Sequence, residues 1–339
     1  MLAAFTNLKN AQKVKNYLAK RNLFYKDYLP LRELDHIYFP ISKKTRIPGA
    51  KVVKVKFKFR KKGAKVTIET LLKNKLTPTQ LSRIPKSQEV IGKIMILEVP
   101  ESLYKKEKQI AEAYLELNKN ITTVVKKTKM HSGVFRTRKV KILAGKKTKE
   151  TIHQENGIRM KLHLEKTYFS ARSANERLRI AKQVKKGEEV MVMFSGAAPF
   201  PLVIAKNSKA KKVYGIELNQ EAYGFALESL ALNKLEKKIQ LYRGDVRTVL
   251  PKIKKKFDRI AMPLPKTGED FLYLALRKIK KKGIIHLYSF LKEQDIAKEA
   301  KRISKKCQES RYKVRILRKV KCGQFSPGTF RVCFDIRKI

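Results

Sequence analysis

Residues 189–246, EVMVMFSGAAPFPLVIAKNSKAKKVYGIELNQEAYGFALESLALNKLEKKIQLYRGDV, decide how the chain is read. An apolar run, Val190–Phe194, breaks at Ser195-Gly196 and restarts with helical spacing from Pro199. A second run, Val213–Ile216, ends on Glu217, and a third, Ile239–Tyr242, ends in Gly244-Asp245. Strand, small-residue turn, helix and a strand ending in an acid make a nucleotide-binding α/β unit. Gly196 lets the backbone come close to a ligand. An acid roughly 20 residues further on, here Glu217, accepts hydrogen bonds from both ribose hydroxyls.

A strict G-x-G-x-x-G is absent, because Ala197 and Ala198 follow Gly196. The pyrophosphate of a dinucleotide needs very close backbone approach at a helix N-terminus. S-adenosylmethionine has no phosphate and accepts a looser turn, and Asp245 suits the exocyclic amine of its adenine. Either acid alone reads as a helix cap; the pair at successive strand ends predicts an S-adenosylmethionine site.

Downstream the α/β alternation continues. Phe257–Met262 is a strand ending in Pro263-Leu264-Pro265-Lys266, Phe271–Ile279 a helix, Gly283–Ser289 a strand and Gln294–Lys306 a helix. Tyr312–Val320 and Thr329–Ile336 close the chain as a hairpin, giving about seven strands from Val190 and a class I methyltransferase sheet. Enzymes that methylate exocyclic base amines place [Asn/Asp/Ser]-Pro-Pro-[aromatic] at the fourth strand end. Met262-Pro263-Leu264-Pro265 offers neither acceptor nor aromatic, which argues against an adenine- or cytosine-amine target and leaves a ring nitrogen open.

Upstream, Leu8, Ala11, Val14 and Leu18 recur at helical spacing, and His36–Phe39 is a short strand ended by Pro40. In KVVKVKFKFR (51–60), Val53, Val55, Phe57 and Phe59 face one way and Lys54, Lys56, Lys58 and Arg60 the other, a half-buried strand with a cationic outer face. Ile94–Val99 reads as a strand and Glu101–Leu117 as a helix. Val140–Ala144 and Met160–Leu164 read as further strands. Ser173 is placed to cap a helix whose first turn carries Glu176 and Arg177. That helix directly precedes the first strand of the nucleotide unit, so its start reaches the ligand cleft.

At 339 residues the chain is long enough for two or three domains, and 42% hydrophobic content fits a globular protein. The charge is the outlier: 81 Lys+Arg against 29 Asp+Glu, formally +52. Such a chain repels itself unless it works against a polyanion, and RNA or DNA is the favoured partner. Two stretches, His36–Ile68 and Leu117–Lys149, each carry 11 Lys+Arg and no acid, as phosphate-tracking surfaces do. Cys307, Cys322 and Cys333 lack zinc spacing, so neither a metal site nor a disulfide framework is expected. No signal peptide or membrane-length apolar run is present, and a cytosolic location follows as the expectation.

Taken together, YFPI (38–41), IPKSQEVIGKIMILEVP, GVFRTR, HQENG, YFSARSANER, MFSGAAPF, GDVR, MPLPK and GIIHLY resemble, in order and spacing over nearly the whole chain, the archaeal and eukaryotic tRNA guanine-37 N1-methyltransferase family. The resemblance implies an α/β fold: a Rossmann-like class I methyltransferase catalytic domain (166–339) preceded by a small tRNA-docking domain (1–48) and an α+β RNA-binding domain (49–165). It implies S-adenosylmethionine as cofactor, and tRNA as partner of a monomer, held at the anticodon stem-loop and outer corner, with no membrane and no DNA.

By the same resemblance Glu176 is the general base at guanine N1, Arg136 stabilises charge on O6, and Tyr168 sits beside the base. Arg177, Phe194, Gly196, Glu217, Leu218, Asp245, Val246, Pro263 and Pro265 form the cofactor site. The chemistry is coherent, because guanine N1 carries a proton with a pKa of roughly 9 whose removal frees the lone pair. A cation at O6 then stabilises the enolate. Outside the family, Glu176 reads as a helix-start carboxylate and Arg136 as one phosphate contact among many. Three positions depart from the family pattern: Val192 stands for an Asp, Ala198 for a Gly and Pro263 for an Asn. Two other functions fit the same residues. One is the wybutosine-pathway aminocarboxypropyl transfer, or methylation of a tricyclic guanosine derivative, at the same tRNA position. The other is a non-catalytic basic RNA-binding protein. Arg136, Glu176 and the N-terminal domain favour methyl transfer.

Overall fold

Residues 1–71 and 72–339 pack as two units in a computed structural model, which describes residues 1–63, 66–132 and 137–339. In the first unit, β1 (Leu2–Asn7) is followed at once by α1 (Leu8–Lys20), because the Asn7 side chain accepts the Asn10 N–H and caps the helix. Val14 and Leu18, one helical turn apart, are fully buried against Ala4, Phe39 and Ile41. β2 (Leu31–Glu33), β3 (His36–Pro40) and β4 (Lys51–Lys54) complete a sheet of order β2-β3-β1-β4. This unit therefore runs past residue 48, where sequence placed the first boundary, since Lys51–Lys54 pairs antiparallel with Leu2–Phe5. The pairing stops after Val55, whose N–H donates to the Met1 carbonyl (2.9 Å), yet the alternation persists: Val55, Phe57 and Phe59 point inward while Lys54, Lys56, Lys58 and Arg60 stay exposed.

The second unit opens with two short helices, α2 (Ile68–Leu72) and α3 (Pro78–Ser82), the latter started by a Thr77/Gln80 capping box. A mixed sheet follows, β5 (Glu89–Ile91), β6 (Ile94–Leu97), β7 (Thr123–Ser132) and β8 (Thr137–Gly145). The parallel pair β6–β7 is joined through α4 (Glu107–Leu117), and residues 101–106 form a tighter 3₁₀ lead-in. The hairpin β9 (Glu150–Glu155) and β10 (Ile158–His163) turns on Asn156-Gly157, both at positive φ as a two-residue turn requires.

From α5 (Ala174–Gln183) onward the chain alternates as its sequence predicts. The elements are β11 (Glu189–Met193), α6 (Pro199–Asn207), β12 (Lys212–Glu217), α7 (Gln220–Asn233), β13 (Ile239–Arg243), α8 (Val246–Lys252), β14 (Phe257–Met262), α9 (Leu272–Lys278), β15 (Ile279–Lys292), α10 (Ile296–Glu309), β16 (Val314–Ser326) and β17 (Thr329–Lys338). The seven strands order as β13-β12-β11-β14-β15-β17-β16, with only β17 antiparallel to its neighbours. Along β11, Val190 and Val192 pack on one side with residues of α5, α6 and α7, while Met191 and Met193 pack on the other with α8, α9 and α10. Burial on both faces explains why these strands read as unbroken apolar runs. The order reverses between β11 and β14, and a ligand crevice opens beyond the carboxyl ends of strands at such a point. No helix among the described residues is long and apolar enough to cross a membrane.

Candidate active site

The turn after β11 is a wound segment in which Phe194, Gly196 and Ala198 all take positive φ (59°, 57° and 62°). Only glycine adopts this region freely, and each of the other two stores on the order of 1–2 kcal/mol of backbone strain. Two bonds to β12 hold the turn: Ser195 N–H donates to the Ile216 carbonyl (2.9 Å), and Gly196 N–H donates to Glu217 Oε2 (2.6 Å). Glu217 thus both ends its strand and fastens the turn, and its Oε1 accepts the Asn219 N–H (2.8 Å).

Beyond the turn lies a cavity of about 500 Å³. Tyr168, Glu176, Arg177, Phe194, Gly196, Glu217, Leu218, Asp245, Val246, Pro263 and Pro265 all line it, so every expected site residue among the described ones is brought to one place. Arg136 lies outside the described residues. The residues around the cavity fit S-adenosylmethionine. A Cβ on Gly196 would meet nothing nearer than the Tyr168 carbonyl at 3.7 Å, so the backbone there is open to a ligand. Ser195 Oγ, on a residue 4% exposed, lines the cavity without a hydrogen-bond partner among the described residues.

The two acids differ in state. Asp245 caps α8 through the Arg247 N–H (2.7 Å), and the Arg247 guanidinium beside it holds its carboxyl below the usual range. Glu217 goes the other way, because burial pushes its carboxyl up against the opposing pull of backbone N–H groups. Burial favours the protonated acid, an advantage to folding that is lost as pH rises through the raised pKa. Ribose hydroxyls donating to the carboxylate favour the ionised form instead. Cofactor affinity is therefore expected to fall as pH drops into the mildly acidic range, and Glu217→Gln to bind at least roughly tenfold more weakly with that dependence gone. Titration calorimetry at neutral and mildly acidic pH checks this; equal affinities would remove Glu217 from the ribose end.

At the other end, α5 brings in Glu176 and Arg177, 4% and 2% exposed. Ser173 sits at the N-cap but makes no capping bond, and its hydroxyl accepts from Arg331 Nη1 instead (2.6 Å). Arg177 lines the cavity with Nε and Nη2 of its guanidinium on Glu155 (2.5 and 2.5 Å) and the group stacked over Phe169, so it braces the wall. Tyr168 is 37% exposed at the rim. Ser195, Phe271, Tyr288 and Arg331 also line the cavity and were not singled out from sequence. Tyr288 lies in the motif GIIHLY, but nothing in the pattern tells a lining tyrosine from a core one.

A seven-stranded sheet of this order, with paired acids at successive strand ends around an adenosine-sized cavity, defines a class I methyltransferase. Comparison with known proteins narrows the class. The TRM5/TYW2 methyltransferase domain matches residues 151–315, and the TYW2 N-terminal domain matches residues 68–148. The tRNA (guanine(37)-N(1))-methyltransferase Trm5b of Pyrococcus abyssi is 38% identical over 77% of this chain and 77% of its own. Its crystal structure superposes with a TM-score of 0.75 at 32% identity, covering 100% and 99% of the two chains. A complex of aTrm5 with tRNALeu gives 0.69 at 28% identity over 99% of each chain. TYW2 of Pyrococcus horikoshii with MeSAdo gives 0.69 at 29%, covering 80% of this chain and 98% of that one. The chain belongs to the TRM5/TYW2 methyltransferase family, and it is an S-adenosylmethionine-dependent enzyme.

Proposed function

We propose that this enzyme methylates N1 of guanosine 37 in tRNA, with Glu176 as the base. The observation that carries the reading is that the Glu176 carboxylate lines the same cavity as Glu217 and Asp245, the acids suited to ribose and adenine. When bound, S-adenosylmethionine supplies an electrophilic methyl group. Among the residues that line the cavity, Glu217, Asp245 and the turn at Gly196 would hold its nucleoside, and Phe194, Leu218, Val246 and Pro263–Pro265 would pack around it. Glu176 takes the N1 proton, Tyr168 at the rim flanks the base, and Arg136 steadies the charge that develops on O6. Mass spectrometry of nucleosides from tRNA incubated with enzyme and cofactor tests this, with 1-methylguanosine at position 37 as the expected product. A second reading, aminocarboxypropyl transfer to a tricyclic guanosine derivative there, is favoured by the TYW2-type match over residues 68–148. The same spectrum separates the two by mass.

The cations divide by role. In the second acid-free stretch, Lys126 and Lys141 pair with Glu107, Lys127 with Glu98, Lys149 with Glu165, and Arg138, 4% exposed, with Glu89. These are partly internal struts. Lys54, Lys56, Lys58 and Arg60 form no ion pair among the described residues and remain for phosphate. Residues 1–71 dock the outer corner of tRNA, residues up to 165 grip the anticodon stem-loop, and residues 166–339 carry catalysis in a monomer. Binding should weaken steeply with salt. Reversing the charge of Lys54, Lys56 and Lys58 should cut affinity without moving the methylated position. Filter binding across ionic strengths checks both; a flat salt response would contradict the phosphate-tracking role.

A further inference from the structure

Behind the cavity wall the Glu176 carboxylate heads a buried chain of charges. Arg179 Nε donates to its Oε2 (2.7 Å) and Arg179 Nη2 to its Oε1 (2.8 Å), and the Tyr288 hydroxyl also donates to Oε1 (2.7 Å). The same guanidinium reaches back to Asp335, donating from Nη1 to Oδ2 (2.9 Å). Asp335 Oδ1 lies 2.6 Å from His286 Nδ1, and His286 Nε2 lies 2.8 Å from Arg259 Nη1, while Arg259 pairs with Glu188. Arginine has no acceptor, so His286 Nε2 accepts and Nδ1–H donates, which fixes a neutral imidazole. Burial, with Arg259 alongside, lowers the proton affinity of His286 in the same sense.

His286, Cys333 and Asp335 have the donor types of a metal site, with ligand atoms within 4.8 Å of one another. Two guanidiniums already hold His286 and Asp335, so these donors are spent on hydrogen bonds. Three acids (Glu176, Asp335, Glu188) stand against two arginines, so the chain carries one negative charge when Glu176 is ionised and none once it holds a proton. A lone Glu176–Arg179 pair would do the reverse and strand a buried cation on protonation.

We infer that Arg179, Asp335 and Tyr288 are positioning residues for methyl transfer: they aim the Glu176 carboxylate, and Asp335 keeps Arg179 paired while Glu176 takes the proton. This rests on the reading of Glu176 as the base. The groups around Glu176 are Arg179 from α5, with Asp335 behind it, Tyr288 from β15, Cys333 and the cavity-lining Arg331 from β17, whose guanidinium bonds Ser173, and Cys322 from β16. Burial pushes both thiols up, Cys322 to about 11, so they stay neutral, and the donors on the carboxylate itself come from Arg179 and Tyr288.

The test is single-turnover methyl transfer against pH for Asp335→Asn, Tyr288→Phe and Glu176→Gln, and for each of the first two combined with the third. Cofactor and tRNA dissociation constants are measured alongside. Without Asp335, Arg179 leans wholly on Glu176 and makes it a weaker base. The plateau rate should then fall roughly tenfold, and the ascending limb should move to lower pH. Tyr288→Phe removes a donor from the carboxylate, so its limb should move the opposite way, to higher pH, and its plateau should fall because the carboxylate is no longer aimed, not because it is a weaker base. A merely structural defect lowers amplitude and moves neither limb. Neither variant should slow Glu176→Gln further. Wild-type speed in Glu176→Gln overturns the base reading itself. A slow Glu176→Gln beside unmoved limbs in the other two leaves the base standing and overturns this inference, as does multiplicative slowing in the double variants. Should Asp335→Asn fail to fold, Tyr288→Phe still decides, since it keeps the buried ring.

Discussion

Glu176→Gln is expected to lower the single-turnover rate of methyl transfer by roughly 10²–10⁴-fold, with cofactor and tRNA bound nearly as before. The chemical step needs a group that can accept the guanine N1 proton, and an amide cannot. The structure refines the expectation for stability. Glutamine leaves one of the two Arg179 donors that now face Glu176 opposed to an amide N–H. That mismatch costs about 1–3 kcal/mol. Arg179 keeps Asp335, so the fold should survive, and a melting curve run beside the rate separates lost chemistry from lost structure. Inosine at position 37 retains N1 and O6 and should still be methylated by the wild type. A full-speed Glu176→Gln enzyme would return Glu176 to the role of a helix-start carboxylate.

The catalytic sheet was legible because its strands are buried on both faces and its turns carry small residues. The run Val190–Met193, the break at Ser195-Gly196 and the acids Glu217 and Asp245 stand in the sequence where the structure places strand, turn and strand ends. Boundaries were less legible. The sequence ends a strand at Ser289, but β15 runs from Ile279 to Lys292, because β17 pairs along it as far as Lys292 and supplies the hydrogen bonds. The strand expected over 51–60 keeps its alternation throughout, but it pairs with β1 only as far as Val55, which bonds to Met1. Ser173 looked like a cap and is an acceptor for Arg331, a residue more than 150 positions away in sequence. Least legible was the network behind Glu176. Arg179, His286, Arg259 and Asp335 come from four elements, and in sequence each is one charge or one histidine in a strand or helix pattern. Their meaning lies in a register that only the assembled sheet sets.

Arg259→Met should destabilise the second unit by about 3–5 kcal/mol, the loss that follows when one partner of a buried ion pair is removed. Arg259 is 2% exposed, in the middle of β14. Its guanidinium donates to Glu188 (3.0 and 3.4 Å), to the Gln183 carbonyl (2.9 Å) and to His286 Nε2 (2.8 Å). Methionine fills much of the same volume, so the loss is electrostatic and not a cavity. A carbonyl and an imidazole nitrogen are left without donors, and Glu188 without its counter-charge. For a unit of this size the melting point should fall by roughly 6–20 °C. The partner substitution discriminates causes. Glu188 has a side chain 15% exposed and turns to water more easily, so Glu188→Gln should cost less than half as much. Combining Arg259→Met with Glu188→Met should recover part of the single-variant loss, because no uncompensated carboxylate then remains. Additive losses in that double variant would mean that Arg259 stabilises the sheet through Gln183 and His286 alone. The negative end of the chain at Glu188 would then have no part in holding the charge balance behind Glu176.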